Sequence, residues 1–325
     1  MKIKIIVTLS CITFLNITSC GPSPEVKLRI QKAKSTFGAL PKSMPGSEND
    51  IKTKIALGKK LYFEKRLSKN NTQSCNSCHN LDNGKNGVDN QPTSKGAFGK
   101  RGGRNSPTVW NAGLHIAQFW DGRASDLKAQ AKGPILNPIE MAMSSEKAVI
   151  DKLGKIKEYP ALFKAAFPKA SNALTYDNLA EAIAAFERTL ITRDRLDKFI
   201  SGDAKALSQK EQIGLDKFIA TGCVACHSGN LLGGRSYMKM GLANKYENIQ
   251  DFGRYSVTEK DEDRYKFKVP SLRNIANTAP YFHDGKAKTL GDAVTQMAWL
   301  QLGKKLSTND ISSIVTFLTA LNKIN

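Results

Sequence analysis

Cys75-Asn76-Ser77-Cys78-His79 recurs in outline as Cys223-Val224-Ala225-Cys226-His227, one pentad in each half of the chain. Two thiols on one tight turn can add across the two vinyl groups of a single porphyrin while the imidazole of the next residue reaches its iron. Each pentad therefore reads as a c-type haem attachment site. A thioredoxin-like redox pair needs no histidine after it, and a zinc site built from both pentads would leave His79 and His227 without a purpose. Two haems in one chain point to the movement of electrons.

The pentads use four of the six cysteines and two of the four histidines. The other cysteines, Cys11 and Cys20, lie in an N-terminal stretch with Lys2 and Lys4 followed by a short apolar run, the pattern of an export signal over residues 1–19. Its end, Ile17-Thr18-Ser19-Cys20-Gly21, resembles a bacterial lipobox, in which Cys20 becomes a lipidated first residue. A plain secretory cut nearby is the alternative, and both place the protein in the periplasm. A lipid on Cys20 would hold it to a membrane without a spanning helix.

The elements that must position the pentads are helical, and the expected class is all-α. Ser208 with Glu211 and Ser307 with Asp310 open apolar-periodic runs over 209–219 and 308–321. Thr175 or Asp177 caps 178–191, and Ser144 or Ser145 caps a run ending near Leu153. Strand-like alternation is nearly absent. Residues 80–113, 228–256 and 268–288 are rich in Gly, Asn and Pro, and loops of that length suit wrapping the edge of a haem. One pentad per half predicts one haem domain over 50–190 and a second over 191–325. Residues 20–49 read as a tether with at most one short helix near Glu25–Ser35.

The net charge of +20 leaves the chain strongly basic without its signal. An exported haem protein does not meet nucleic acid, so the basic surface suits an acidic redox partner or an anionic membrane. The lysines are dispersed, and a merely solvated lysine surface is the other reading.

Outside the pentads, four segments carry a more specific signal: Asn105–Arg123, Gln130–Met141, Thr278–Gly285 and Thr289–Met297. With the pentads, and in the same order over about residues 50–322, they make the chain resemble the bacterial dihaem cytochrome c peroxidases. The resemblance implies two cytochrome c-like haem domains with long haem-wrapping loops, and two-electron reduction of hydrogen peroxide to water. A small cytochrome c or a cupredoxin would supply the electrons. It also admits a homodimer.

Position by position, the resemblance makes the haem on His227 the electron-entry site with Met297 as its second ligand, a thioether that favours reduced iron. On the residues alone Met297 could be core filler, and Met238 or Met240 could compete for the iron. The haem on His79 becomes the site where peroxide binds, with Glu140 as the distal carboxylate and Gln130 as its neighbouring amide. Trp120 matches a tryptophan between the haems. Asn105, Thr278 and Pro280 match positions that hold a calcium ion by oxygen ligands. His283 is expected to be structural or to contact a propionate, and His115 to be a satisfied buried histidine.

One departure stands out. Many relatives carry a histidine in the loop after the first pentad that covers the peroxide-binding iron until the second haem is reduced. Here Ala97 or Phe98 falls at that place, and no histidine occurs between His79 and His115. Two other readings remain: a dihaem enzyme that oxidises residues of a partner protein in cofactor maturation, which has a Tyr where Met297 stands, and a non-catalytic electron carrier or redox sensor.

Overall fold

The computed structural model describes residues 21–82 and 86–324. The export signal, Cys11 and Cys20 lie outside the described residues. The chain is helical as expected: α1 (Pro24–Phe37), α2 (Lys52–Tyr62), α3 (Cys75–Cys78), α4 (Leu127–Leu136), α5 (Glu146–Gly154), α6 (Tyr159–Ala166) and α7 (Tyr176–Glu187) are followed by α8 (Arg195–Ile200), α9 (Gln209–Thr221), α10 (Tyr255–Thr258), α11 (Leu290–Leu302) and α12 (Thr308–Thr319). Among the described residues the one sheet is an antiparallel ribbon of β1 (Tyr237–Lys239) and β2 (Lys266–Lys268), with Tyr237 opposite Lys268. None of the described helices is long and apolar enough to cross a membrane.

The helix starts follow side-chain chemistry. Ser208 and Glu211 form a reciprocal capping box on α9, while Ser307 accepts from the Asp310 N–H, Thr175 from Asn178 and Ser145 from Ala148. Each satisfies a backbone donor that the first helical turn leaves free.

Residues 20–49 differ from the tether expected of them. From Gly21 onward the segment is folded, and α1 runs for 14 residues. Val26, Ile30, Ala33 and Phe37 recur at helical spacing and face Leu196, Phe199, Phe218 and Phe317. Arg29 adds an ion pair to Asp216 at 2.7 Å. The apolar stripe can be buried only against a core assembled from the other end of the chain, so α1 docks there rather than remaining a linker.

Two hydrophobic clusters organise the rest. One gathers Leu57, Leu61, Phe163, Leu179 and Ile183, and the other Phe37, Leu196, Leu215, Phe317 and Leu318. In the first, α2 crosses α7; in the second, α9 crosses α12. Both crossings are made close by a glycine. A Cβ on Gly58 would lie 1.8 Å from the Ala182 carbonyl oxygen, and one on Gly214 would lie 2.1 Å from that of Ser313. No side chain fits at either crossing, because the partner helix backbone already fills the space.

The halves also share a repeat that composition did not disclose. Asn111-Ala-Gly-Leu-His-Ile-Ala-Gln-Phe-Trp-Asp-Gly-Arg-Ala124 and Asn274-Ile-Ala-Asn-Thr-Ala-Pro-Tyr-Phe-His-Asp-Gly-Lys-Ala287 run in one register. In each, the Asn is left-handed (φ 61° and 63°), a 3₁₀ turn follows, the Phe has positive φ, and an isolated bridge closes the loop, Gln118 to Ala124 and Tyr281 to Ala287. The copies exchange bonds across their contact: the Asn105 N–H donates to the His283 carbonyl and the Lys268 N–H to that of Trp120, both at 2.7 Å. Thr192 joins them again, its hydroxyl accepting from the side-chain amides of Asn111 and Asn274.

Candidate active site

Each pentad is a single turn with its histidine at the exit. In the first, Ser74 and Ser77 cap α3 reciprocally, which sets Cys75 and Cys78 one helical turn apart. In the second, Gly222 in a left-handed conformation (φ 103°) ends α9 and starts the turn Cys223–Ala225. Both histidines return their backbone N–H to the carbonyl of the first cysteine at 2.9 Å. Both fix the ring in the same way: Nδ1 of His79 donates to the Pro107 carbonyl and Nδ1 of His227 to that of Leu232, each at 2.9 Å. Nε2 is thereby left as the basic nitrogen of each ring, the tautomer an iron ligand requires.

The thiols are unpaired, and burial pushes Cys78 and Cys223 up to about 11, so neither is a thiolate nucleophile at neutral pH. Among the described residues no group of three His, Cys, Asp or Glu side chains is arranged to hold an ion unaided. One free imidazole nitrogen and two neutral thiols on a turn suit a covalently held porphyrin and do not suit zinc.

The second pentad opens into an apolar cavity of about 230 Å³ that Cys223, Cys226 and His227 line. Across it stands one face of α11, Leu290, Val294, Met297, Ala298 and Gln301, at helical spacing. Met297 thus shares the cavity with His227. Met238 and Met240 line it too, and the Met240 sulfur accepts from the Gln301 amide at 3.8 Å.

The register of the internal repeat continues into α4 and α11 and pairs Met297 with Pro134. Where the second half offers a sulfur, the first offers a ring with no ligating atom. Beyond Pro134 the chain turns back, the N–H groups of Met141 and Met143 donating to the carbonyls of Pro134 and Ile135, and this return carries Glu140. The Glu140 carboxylate accepts from Asn137 Nδ2 at 2.9 Å. Burial raises its pKa above the ordinary carboxylate range, against the opposing pull of Arg123 and the Asn137 bond. Its charge adds to the rise that burial causes at the Cys75 and Cys78 thiols. Gln130 sits one turn before Pro134 on the same face of α4.

The loop that lacks a histidine closes on this carboxylate's backbone. The Ala97 N–H donates to the Glu140 carbonyl at 2.7 Å, and Gly96 lies so close that a Cβ would be 1.7 Å from the Ile139 oxygen. The Ser94 hydroxyl is hydrogen-bonded to that of Ser106 at 2.6 Å. Phe98 is 58% exposed and points away from the site.

Trp120 and His283, partners in the repeat, meet edge to face with centroids 6.4 Å apart, and Trp120 Nε1 donates to the Asn105 carbonyl at 2.9 Å. Asn105, Thr278 and Pro280 all line the cavity near this contact. His283 is stacked 4.0 Å from Phe267 and leaves Nε2 buried without a hydrogen-bond partner among the described residues. His115 accepts from the Lys268 ammonium at 2.7 Å, which makes it a partnered histidine.

Glu187 gave no signal in the sequence beyond being an acid at the end of an apolar helix. It is buried beside Tyr62 and Cys75, its Oε2 has no partner among the described residues, and burial raises it to about 8 against the pull of Arg188. Its pKa rises on folding from the ordinary 4.5, so the stabilisation this gives is complete below pH 4.5 and is lost as the pH climbs through about 8. The loss amounts to several kcal/mol, at about 1.4 kcal/mol per pH unit between the two values. Denaturant unfolding of Glu187→Gln should therefore show a flatter pH profile than wild type and greater stability at alkaline pH. Equal profiles would mean that Glu187 is charged and solvated in the fold.

Residues 52–205 match the family model described as di-haem cytochrome c peroxidase. The chain is 49% identical over 271 residues to cytochrome c551 peroxidase of Pseudomonas aeruginosa, covering 82% of this chain and 78% of that protein. It is 44% identical over 276 residues to cytochrome c peroxidase Ccp of Escherichia coli, with 83% and 58% covered. It is 35% identical over 256 residues to methylamine utilization protein MauG of Methylorubrum extorquens, with 77% and 70% covered. Among solved structures, a MauG-like protein associated with microbial copper homeostasis superposes with a TM-score of 0.77 at 27% identity, over 87% of this chain and 93% of that one. The diheme peroxidase BthA from Burkholderia thailandensis shares the fold at a TM-score of 0.72 and 22% identity, over 84% and 86%.

Proposed function

The chain belongs to the dihaem cytochrome c peroxidase family, peroxide-reducing oxidoreductases with two haems, and we propose that hydrogen peroxide is reduced at the haem on His79 with electrons entering at the haem on His227. The observation that carries this division is the pairing of Met297 with Pro134: α11 brings a thioether to one haem, while α4 brings none to the other. When bound, the haems supply the iron that takes peroxide and the electrons that reduce it.

Glu140 would take the proton from one peroxide oxygen and return it to the other, so that water can leave. Asn137 holds the carboxylate for this transfer, and burial keeps its proton affinity high. Gln130 donates its amide to the same oxygens. His79 and His227 are held by carbonyl bonds at Nδ1, and Trp120 is pinned to Asn105 between the two sites. Two electrons and two protons convert one peroxide to two waters.

Several finer assignments go with this reading. Residues 50–190 and 191–325 form two cytochrome c-like haem domains wrapped by the long loops, with α1 packed on the second. Asn105, Thr278 and Pro280 hold a calcium ion between them. The chain is exported to the periplasm and lipidated on Cys20, can pair as a homodimer, and takes electrons from an acidic small cytochrome c or cupredoxin. Turnover with a panel of such reduced donors at rising ionic strength ranks them, and an acidic donor requires a rate that falls with salt.

The missing loop histidine makes a further expectation. Ala97 is bound by its backbone to Glu140, Phe98 faces solvent, and neither can ligate iron. Electron paramagnetic resonance of the fully oxidised protein should show one high-spin and one low-spin ferric haem. Peroxide should perturb the high-spin signal at once, before any reduction. Two low-spin signals and no response to peroxide would show that another side chain closes the site.

A further inference from the structure

Lys268 ends β2 in the wall of the cavity that His227 and Met297 share, and only 7% of it is exposed. Its ammonium lies 2.7 Å from His115 Nδ1, and an ammonium can only donate there. The imidazole is therefore neutral and gives the cation no counter-charge. No acidic side chain pairs with Lys268 among the described residues, and burial alone lowers it to about 8. A buried cation without a counter-ion is costly to keep. The cavity surface around it is otherwise largely apolar.

The internal repeat shows that the scaffold does not need this charge. The register that pairs Asn111 with Asn274 puts Asn105 where Lys268 stands. Both make the same backbone bond, to the carbonyls of His283 and Trp120 respectively. The neutral Asn105 meets that requirement in the first half, so the lysine is a difference between the halves. Two residues beyond Lys268, the Pro270 carbonyl abuts Gly233, next to the Leu232 carbonyl that holds His227. Lys268 and His115 line the same cavity as Cys223, Cys226 and His227, which brings the charge to the second haem's anchor.

A porphyrin of this type brings its own anions, its two propionate carboxylates. We propose that Lys268, seated on His115, receives a propionate of the haem on His227, and is a positioning residue that raises that haem's potential in addition to Met297. Neutralising a propionate near the iron removes negative charge that would favour the oxidised state. This rests on the two-haem reading, but not on a calcium ion and not on Glu140.

The test uses the haem-loaded protein. A pyridine haemochrome count of two haems per chain in wild type and variants checks the premise separately. Spectroelectrochemistry of Lys268→Met should then show a lower midpoint for the His/Met haem and an unchanged one for the haem on His79. Lys268→Arg should stay near wild type, and the propionate bending band in resonance Raman should shift in Lys268→Met only. An unchanged His/Met midpoint in Lys268→Met, or a shift confined to the haem on His79, overturns the proposal. If Lys268→Met does not mature, His115→Gln serves instead. Replacing the imidazole acceptor must alter the ammonium's grip and move the propionate band, and an unmoved band overturns the proposal as well.

Discussion

Glu140→Gln should lower hydrogen peroxide turnover by about 100- to 10,000-fold, the usual contribution of a positioned general acid–base, while both haem spectra persist. Gln keeps the size of the side chain and an oxygen for Asn137 Nδ2, which bonds Glu140 at 2.9 Å. It removes only the ability to take and return a proton. Burial raises the proton affinity of the carboxyl, and the Arg123 charge and the Asn137 bond oppose that rise. The loop clamped on the Glu140 carbonyl through Ala97 depends on backbone alone, so the exchange should leave its position unchanged. Stopped-flow peroxide reduction with a reduced donor measures the loss. Near-normal turnover in Glu140→Gln would remove the carboxylate from the mechanism and leave Gln130 as the polar group to examine.

The second large effect is expected at Met297. In Met297→His an imidazole would replace the thioether that shares the cavity with His227, and if Met297 is the sulfur ligand the potential of that haem should fall strongly, because ligand identity is a main lever on haem potentials. Electron entry should slow, whereas peroxide should still reach the haem on His79, because the substitution leaves α4 and the return that carries Glu140 unchanged. The geometry supports Met297 over its rivals: it stands on the helical face of α11 that lines the cavity, while Met240 is engaged by Gln301. Spectroelectrochemistry of the purified variant decides the matter. An unchanged potential and unchanged low-spin spectrum would pass the ligand's role to Met238, which lies on β1 in the same cavity.

How much could be read from the chain before its fold depended on the distance over which each feature is set. The pentads are complete within five residues, because thioether formation and iron ligation both act on one turn of backbone. The helix starts at Ser145, Thr175, Ser208 and Ser307 are likewise local, since a cap is a bond between a side chain and an N–H three residues on. Glu140 and Gln130 carried no such signature. An acid before Met-Ala-Met resembles any surface acid, and only the resemblance to a family singled it out.

The amino-acid sequence by itself determined two covalent haem sites, a helical body and the family. Tertiary structure alone decided that α1 is part of a core, because its stripe of Val26, Ile30, Ala33 and Phe37 gains its partners from Leu196 to Phe317. It alone showed that the two repeated loops take one conformation and exchange bonds through Asn105 and Lys268, and that Met297 shares a cavity with His227. Glu187 and the Lys268–His115 pair emerge at the same level. Burial and the approach of groups far apart in the chain set charge and proton affinity there, and neither follows from the spacing of neighbours.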